Sequence, residues 1–158
     1  MAVGFQKEIN SGIARGVPGA FASINPHIST PKGYIAKSDV KVGSFVWATD
    51  NGMVENTGSG KPLGFVHRAN AYTFQDITDG ASDVVPAGQP VDVMVAGDFF
   101  AVTTAAATRG QKVFVNTADG TIVPGTAGAT VENAVETNFY FAEDAKKDEV
   151  VIITSVQL

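Results

Sequence analysis

PAGQPVDVMVAGDFFAVTTAAATRGQKVFVN, from Pro86 to Asn116, contains two apolar segments that meet at Gly97-Asp98. In the first segment valine recurs at every second position from Val91 to Val95, the period of two that is typical of a half-buried β-strand. The second segment, Phe99 to Thr104, is rich in the aromatic and β-branched residues that strands favour. The stretch therefore predicts two strands that belong to a β core.

The junction at Gly97-Asp98 is compatible with two geometries. A two-residue hairpin turn would set Val93 opposite Val102 and Val95 opposite Phe100, so that one register keeps one face apolar. We therefore predict a hairpin with Gly97 and Asp98 as its structural turn. The alternative is one long strand bent by a bulge at Gly97, because glycine serves both geometries.

A related pattern occurs twice in the chain. The segment Gly43 to Val54 runs from a glycine turn through an apolar strand to Asn51-Gly52, and the segment Gly110 to Ile122 repeats this order with one inserted residue and Asp119-Gly120. Asn-Gly and Asp-Gly favour the positive φ angles of tight hairpin turns. The repeat therefore predicts two β-hairpins.

Further short strands are predicted on either side of the central stretch. Turn residues separate them at short intervals, which indicates an all-β protein of about ten short strands, a small β-barrel or sandwich. The segment Val150 to Ile153 is apolar on both faces, so its strand is predicted to be central or covered by another chain. Ala101 to Thr108 is rich in alanine but interrupted by threonine, and we interpret it as a strand end and a loop. The additional strands are predicted at Tyr34 to Lys37, Ser44 to Thr49, Met53 to Asn56, Gly64 to Arg68, Tyr72 to Phe74, Gln111 to Asn116, Thr121 to Val123, Thr137 to Ala142 and Glu149 to Val156.

The chain divides into residues 1–31, an extended N-terminal arm, and residues 32–158, the all-β domain. The arm contains four glycines and three prolines and lacks sustained apolar periodicity. A flexible terminus is one interpretation. However, Phe5, Phe21 and Ile24 are larger than a disordered tail usually carries. We therefore expect the arm to dock on a neighbouring subunit or a partner.

Composition excludes several classes of protein. With 158 residues the chain is long enough for one hydrophobic core, and without cysteine it has no disulfide framework. A formal net charge of −5 with scattered basic residues argues against a nucleic-acid partner. No run of eighteen apolar residues and no signal-peptide pattern is present, so we expect neither membrane insertion nor export.

The sequence offers no complete catalytic or metal-binding motif. The segment Thr57 to Pro62 departs from the phosphate-loop pattern at two positions, and the acidic residues between Asp76 and Asp83 lack the spacing of a calcium loop. His27 and His67 are the two imidazoles, with no cysteine to join them. We therefore expect no catalytic residues, no metal and no cofactor. His67 and Arg68 are predicted to lie at a strand end or contact surface.

Seven short motifs of turn residues and aromatics extend in order along nearly the whole chain. Together they resemble the structural cement, or capsid decoration, proteins of tailed bacteriophages. One departure is Asp148, which stands where glycine is expected in the last turn. The motifs are Phe21-Ala22-Ser23, Asn25-Pro26, Phe45 with Trp47-Ala48, Asn56-Thr57-Gly58, Gly64-Phe65-Val66-His67-Arg68, Pro86-Ala87-Gly88 and Ala96-Gly97-Asp98-Phe99.

The resemblance implies a non-enzymatic protein made in the host bacterial cytoplasm that binds the outer surface of the phage head. Its implied partner is the major capsid protein of the same phage, whose adjacent subunits it would stabilise, and its implied state is a homotrimer, with a dimer second. The acidic charge agrees with an outer face and not a DNA-lined interior. The residues that we predict at the capsid or subunit interface are Phe5, Phe21, Ile24, Asn25, Pro26, His67 and Arg68.

A receptor- or carbohydrate-binding β module on a virion surface is the alternative from another class. Exposed aromatic residues in a concave site would favour it. Trp47 is the one tryptophan, and its counterpart in the repeat is Phe114, so we predict that Trp47 packs in the core.

Overall fold

The computed structural model describes residues 15–69 and 83–156. In these residues the chain forms fourteen strands and one 3₁₀ turn, at Asp50–Gly52, and no α-helix. The prediction of an all-β fold is confirmed. In chain order the strands are β1 (Ile28–Ser29), β2 (Tyr34–Ala36), β3 (Val40–Lys41), β4 (Phe45–Thr49), β5 (Met53–Glu55), β6 (Gly64–Val66), β7 (Val84–Val85), β8 (Pro90–Val91), β9 (Val93–Ala96), β10 (Asp98–Val102), β11 (Lys112–Asn116), β12 (Ile122–Gly125), β13 (Ala134–Phe141) and β14 (Val150–Thr154).

The strands form three sheets in a sandwich-like arrangement. One sheet has seven strands in the order β1-β9-β6-β4-β5-β2-β8, and the second has five in the order β10-β14-β13-β11-β12. The third pairs β3 with β7. Neighbouring strands are antiparallel except for β2 and β5, which are parallel. None of the three described sheets is a closed barrel, so of the two predicted architectures the sandwich is the one that fits.

The first core lies between the two large sheets and is rich in aromatic rings. Phe45 of β4 meets Phe65 edge-on at 5.4 Å between ring centroids, and meets Phe139 of the opposite sheet at 5.6 Å. Phe65 lies 5.1 Å from Phe99, the first buried residue of β10. Edge-on and tilted pairs of this kind stabilise a core beyond the area that they bury. This core therefore joins the two sheets.

The second core lies on the other face of the seven-stranded sheet and consists almost entirely of valine. Alternation along the strands separates the two cores: Val46 belongs to the valine core, whereas its neighbours Phe45 and Trp47 belong to the aromatic core. β8 and β9 lie far apart in the strand order, but only Asp92 separates them along the chain. The sheet must therefore curl around the valines. The core comprises Ala36, Val40, Val42, Val46, Val54, Val66, Val85, Val91 and Val93.

The predicted hairpin at Gly97-Asp98 is wrong. β9 pairs with β6 in the seven-stranded sheet and β10 pairs with β14 in the five-stranded sheet, so the two segments do not pair with each other. The structure is nearer to the alternative, an extended segment bent at Gly97, but its halves lie in different sheets. Gly97 has φ +134°, and a Cβ there would lie 2.9 Å from the Cβ of His27. Glycine thus lets the chain cross between the sheets.

The two hairpins predicted from the repeat are confirmed. β4 pairs with β5 around Asn51 and Gly52, whose φ angles are +66° and +73°. β11 pairs with β12 around Gly120, at φ +71°, although Asp119 is not in the left-handed region. The Gly120 carbonyl also accepts a hydrogen bond from the backbone N–H of Phe45 at 2.9 Å. The second hairpin thereby ties the two large sheets together.

The predictions for the C-terminal part of the chain agree with the structure. β14 lies between β10 and β13, so the apolar segment Val150 to Ile153 is central. β10 ends at Val102, and the alanine-rich segment that follows it is irregular, as predicted. Asp148 has φ +62°, the left-handed conformation in which glycine is usual and aspartate is tolerated. The strand predicted at Tyr72 to Phe74 lies outside the described residues.

Candidate functional site

The described part of the arm lies along the edges of both large sheets of its own subunit. At the edge of the five-stranded sheet, the N–H of Gly19 donates to the carbonyl of Phe100 at 2.8 Å, and the N–H of Phe100 donates to Ala20 at 3.0 Å. Further along, β1 pairs with β9, and the N–H of Thr30 donates to Val93 at 3.0 Å. The arm therefore covers edge strands that would otherwise expose unpaired backbone groups.

His67 and Arg68 hold the arm at Gly19. Gly19 has φ +85°, and its carbonyl accepts the backbone N–H of Arg68 at 2.8 Å and the Nδ1–H of His67, also at 2.8 Å. The Nε of Arg68 donates to the carbonyl of Pro18 at 3.0 Å, and its guanidinium forms an ion pair with Asp83. Both residues therefore contact the arm of their own subunit.

Phe21 lies between two imidazole rings. Its ring stacks on His67 with centroids 4.0 Å apart, and His27 lies on it at 4.2 Å. Burial of the imidazole lowers the pKa of His67 below its usual 6.5, and the nearby His27 lowers it further. The hydrogen bond to Gly19 and the charge of Asp92 raise this pKa, but they do not outweigh burial. His67 is accordingly neutral at pH 7, and the stack is an apolar contact.

Asp98 fixes the loop that follows Phe21. Its carboxylate accepts the hydroxyl of Ser23 at 2.6 Å and the side-chain amide of Asn25 at 2.7 Å. Partial burial raises the pKa of Asp98, but hydrogen bonds from Ser23, Thr154 and Asn25 outweigh it and leave the pKa below its usual 3.8. The carboxylate is therefore charged at neutral pH, and a charged acceptor strengthens both contacts with the arm.

Exposed large apolar side chains concentrate on the arm. The described residues contain seven of them, four of which lie on the arm: Val17, Phe21, Ile24 and Ile28, with exposed fractions of 53%, 36%, 104% and 58%. We call these four residues the arm surface. A fifth, Val156, follows Ser155, which exchanges hydrogen bonds with Gly97 beside the arm. Scattered exposed apolar residues are ordinary, whereas four within one segment of twelve residues make the arm a candidate interaction surface.

The structure brings together most of the residues that the sequence predicted at an interface. Phe21, Asn25, His67 and Arg68 meet around the arm and the Gly97-Asp98 crossing, where they contact their own subunit. Ile24 and Pro26 are exposed, and Phe5 lies outside the described residues. Sequence reasoning did not identify Gly19, Ser23 and His27 as contacts of these residues. No local signal marks such contacts, because Ser23 and Asp98 are 75 positions apart.

Trp47 is a core residue, as predicted. Its side chain is 4% exposed, and its indole N–H donates to the carbonyl of Gly60 at 2.8 Å. A Cβ on Gly58 would lie 2.2 Å from the indole ring, so the loop Thr57 to Pro62 closes directly over it. Trp47 is thus not presented to a sugar.

Two features bear on ligands and membranes. Within residues 15–69 and 83–156, no group of three or more His, Cys, Asp or Glu side chains is placed to hold a metal ion. In the same residues, no helix has the length and apolar character that crossing a membrane requires.

Comparison with known proteins identifies the family. The model of the XM1 gp53 minor capsid protein family matches residues 5–155. The chain belongs to this family. It is therefore a structural protein associated with a bacteriophage capsid, and it is located in the virion. The resemblance to phage capsid-associated proteins seen in the sequence is confirmed at this level.

Two solved structures share the fold. One is a chain of the capsid of Myoviridae phage XM1, with a TM-score of 0.67, 20% identity and 98% of each chain covered. The other is the N base of head fiber gp8.5 in bacteriophage phi29, with a TM-score of 0.51, 16% identity, and 84% of this chain and 98% of that chain covered. No curated protein matches this chain significantly.

Proposed function

We propose that the protein is a non-enzymatic cement protein that binds the outer surface of the assembled phage head and stabilises contacts between adjacent major capsid subunits. Membership of a minor capsid protein family supports a structural role on the capsid. The sequence resemblance to cement proteins supports the finer assignment. The implied oligomer is a homotrimer, with a dimer second.

The observation that carries this proposal is the arm surface. Its four apolar side chains are held on backbone that is already ordered by the edge strands and by Asp98. Burying one large apolar side chain stabilises a complex by about 1.5–3 kcal/mol. Because the described arm is ordered before binding, little of this gain is offset by ordering the chain. A few such contacts suffice for specific attachment.

The charge of the protein favours the outer face of the shell. A protein with a formal net charge of −5 is repelled by packaged DNA, and its eleven basic residues are scattered along the sequence. Trp47, the one tryptophan, lies in the core, which counts against sugar stacking on this residue. The outer surface is thus the site that charge and composition support.

The test is binding to heads that lack the protein. Purified protein is mixed with undecorated heads, unbound protein is removed by sedimentation, and the heads are imaged by electron cryomicroscopy. We expect saturable outer density that bridges adjacent capsid subunits and a higher temperature of head disruption. Density on the inner surface, or no binding by the full-length protein, would overturn the proposal.

A further inference from the structure

We propose that residues Ala22 to His27 form a preformed tip loop that inserts Ile24 into an apolar pocket of a major capsid subunit. Asp98 is the positioning residue that holds this loop in its binding shape. The inference rests on the proposed function and deepens it, because it names the side chain that attaches the protein and the group that orders it.

The geometry of the tip loop separates its residues into two roles. Ser23 and Asn25 both bind the carboxylate of Asp98, at 2.6 Å and 2.7 Å, and the backbone N–H of Ala22 donates to the Asp98 carbonyl at 2.9 Å. The N–H of Asn25 also donates to the hydroxyl of Ser23 at 3.0 Å, which closes the turn. Ile24, between the two polar residues, is 104% exposed. One acidic residue thus orders both flanks of a fully exposed isoleucine.

This arrangement has the properties of a binding anchor. Ile24 contributes nothing to the core of its own subunit, since its side chain is fully in solvent. A branched apolar side chain on a fixed loop loses little freedom when it is buried, and interface energy concentrates in such side chains seated in pockets. Ser23 and Asn25 flank the isoleucine and bind the carboxylate of Asp98, so the complementary surface is an apolar pocket with a polar rim.

The major capsid subunit is the occupant that the family supplies. The protein is capsid-associated by family, and the tip loop carries Ile24, the most exposed of the four arm-surface side chains. Because the side chain of Ile24 is fully exposed, the pocket that receives it belongs to the partner.

The first experiment compares Ile24→Ser with Ile35→Ser, a matched control at an exposed isoleucine of β2 whose side chain is 44% exposed. Head-binding isotherms are measured for both variants and the wild type after circular dichroism has confirmed folding. We expect Ile24→Ser to raise the dissociation constant about tenfold to a hundredfold. The control should bind as the wild type does.

The second experiment tests the role of Asp98 through a double-mutant cycle. Asp98→Ala should weaken head binding of the wild type. In an Ile24→Ser background it should weaken binding little further, because the order of the loop affects binding only when the loop carries Ile24. A merely structural role would weaken binding equally in both backgrounds. Asn25→Ala, which leaves the β10 strand untouched, repeats the cycle if Asp98→Ala does not fold.

The outcomes separate the two proposals. If the wild type does not bind heads, the proposed function fails and this inference fails with it. If the wild type binds and Ile24→Ser binds equally well, only the inference is overturned. Dissociation of the free protein into smaller species by Ile24→Ser would also overturn it, because the tip loop would then serve contacts between copies of this chain.

Discussion

At the scale of single residues, Gly97 determines how the chain passes from the seven-stranded to the five-stranded sheet. Its φ of +134° is a conformation that residues with a side chain rarely adopt. A Cβ at this position would also approach the Phe99 ring to 2.9 Å. Backbone strain and steric overlap therefore act together here.

We expect Gly97→Val to lower the free energy of unfolding by at least about 2 kcal/mol. Urea denaturation of the purified variant measures this loss. The matched control is Gly33→Val, since no atom lies within 4 Å of a Cβ built at Gly33, where φ is not in the left-handed region. A Gly97→Val variant as stable as the control would show that the crossing tolerates a side chain.

His67 makes docking of the arm depend on pH. Its pKa in the folded protein is below 6.5, chiefly because the imidazole is buried under Phe21. The unfolded state binds the proton more readily, so stability is fully present above pH 6.5 and is lost as the pH falls through 6.5 toward the folded-state pKa. We expect the melting temperature of the wild type to fall between pH 7.5 and about pH 5.5.

The matched variant for this prediction is His67→Gln, which keeps a donor for Gly19 but does not titrate. Its melting temperature should vary less over the same range, and because His27 is present in both proteins, the difference between them isolates His67. Parallel curves for the two proteins would contradict the prediction.

Asp98 affects stability over a lower pH range than His67. Its pKa in the folded protein is below 3.8, so its contribution to stability is lost only below pH 3.8.

At the scale of elements, the arm covers the edges of two sheets and is also the binding surface that we propose. Deleting residues 1–30 removes β1 and the backbone contacts with β10, and it exposes two sheet edges at once. We expect this truncation to melt at a lower temperature than the wild type and to associate through its exposed edges. Thermal melting and light scattering measure these effects.

Deletion of residues 1–14 is the comparison for the arm, because it keeps every described contact. The difference in melting temperature between the two deletions isolates the contribution of residues 15–30. If the 1–30 truncation melted at the same temperature as the 1–14 deletion without associating, residues 15–30 would be dispensable for the body. Their role would then be confined to binding.

The sequence predicted those elements whose signals are local. Asn51-Gly52, at the end of an apolar strand, predicts a hairpin from neighbouring residues, and that hairpin is confirmed. The hairpin at Gly97 failed because glycine favours several geometries, and only the distant partners of β9 and β10 decide between them. The contacts of Ser23 with Asp98 join residues 75 positions apart, and no periodicity encodes them.

At the scale of the whole molecule, two apolar cores supply the stability of the described fold. The aromatic core joins the large sheets and the valine core fills the curl of one of them. Because no metal is required for either core, we expect the same melting temperature in EDTA, calcium or zinc. A bound ion at a hundredfold excess over its dissociation constant would raise the free energy of unfolding by about 2.7 kcal/mol. A fall in stability of that size on adding a chelator would contradict the prediction.

The assembly state decides how the arm surface is used. Ile24, on one arm, gives about 1.5–3 kcal/mol when buried, which is modest for attachment by a single copy. A homotrimer presents three arms together, so the second and third contacts form at an effective concentration in the millimolar range, provided that the arms match sites on the shell. We therefore expect the free protein to sediment with three times the mass of one chain. A dimer would present only two arms. Saturation of heads at concentrations where analytical ultracentrifugation finds only single chains would exclude this cooperative use of the arms.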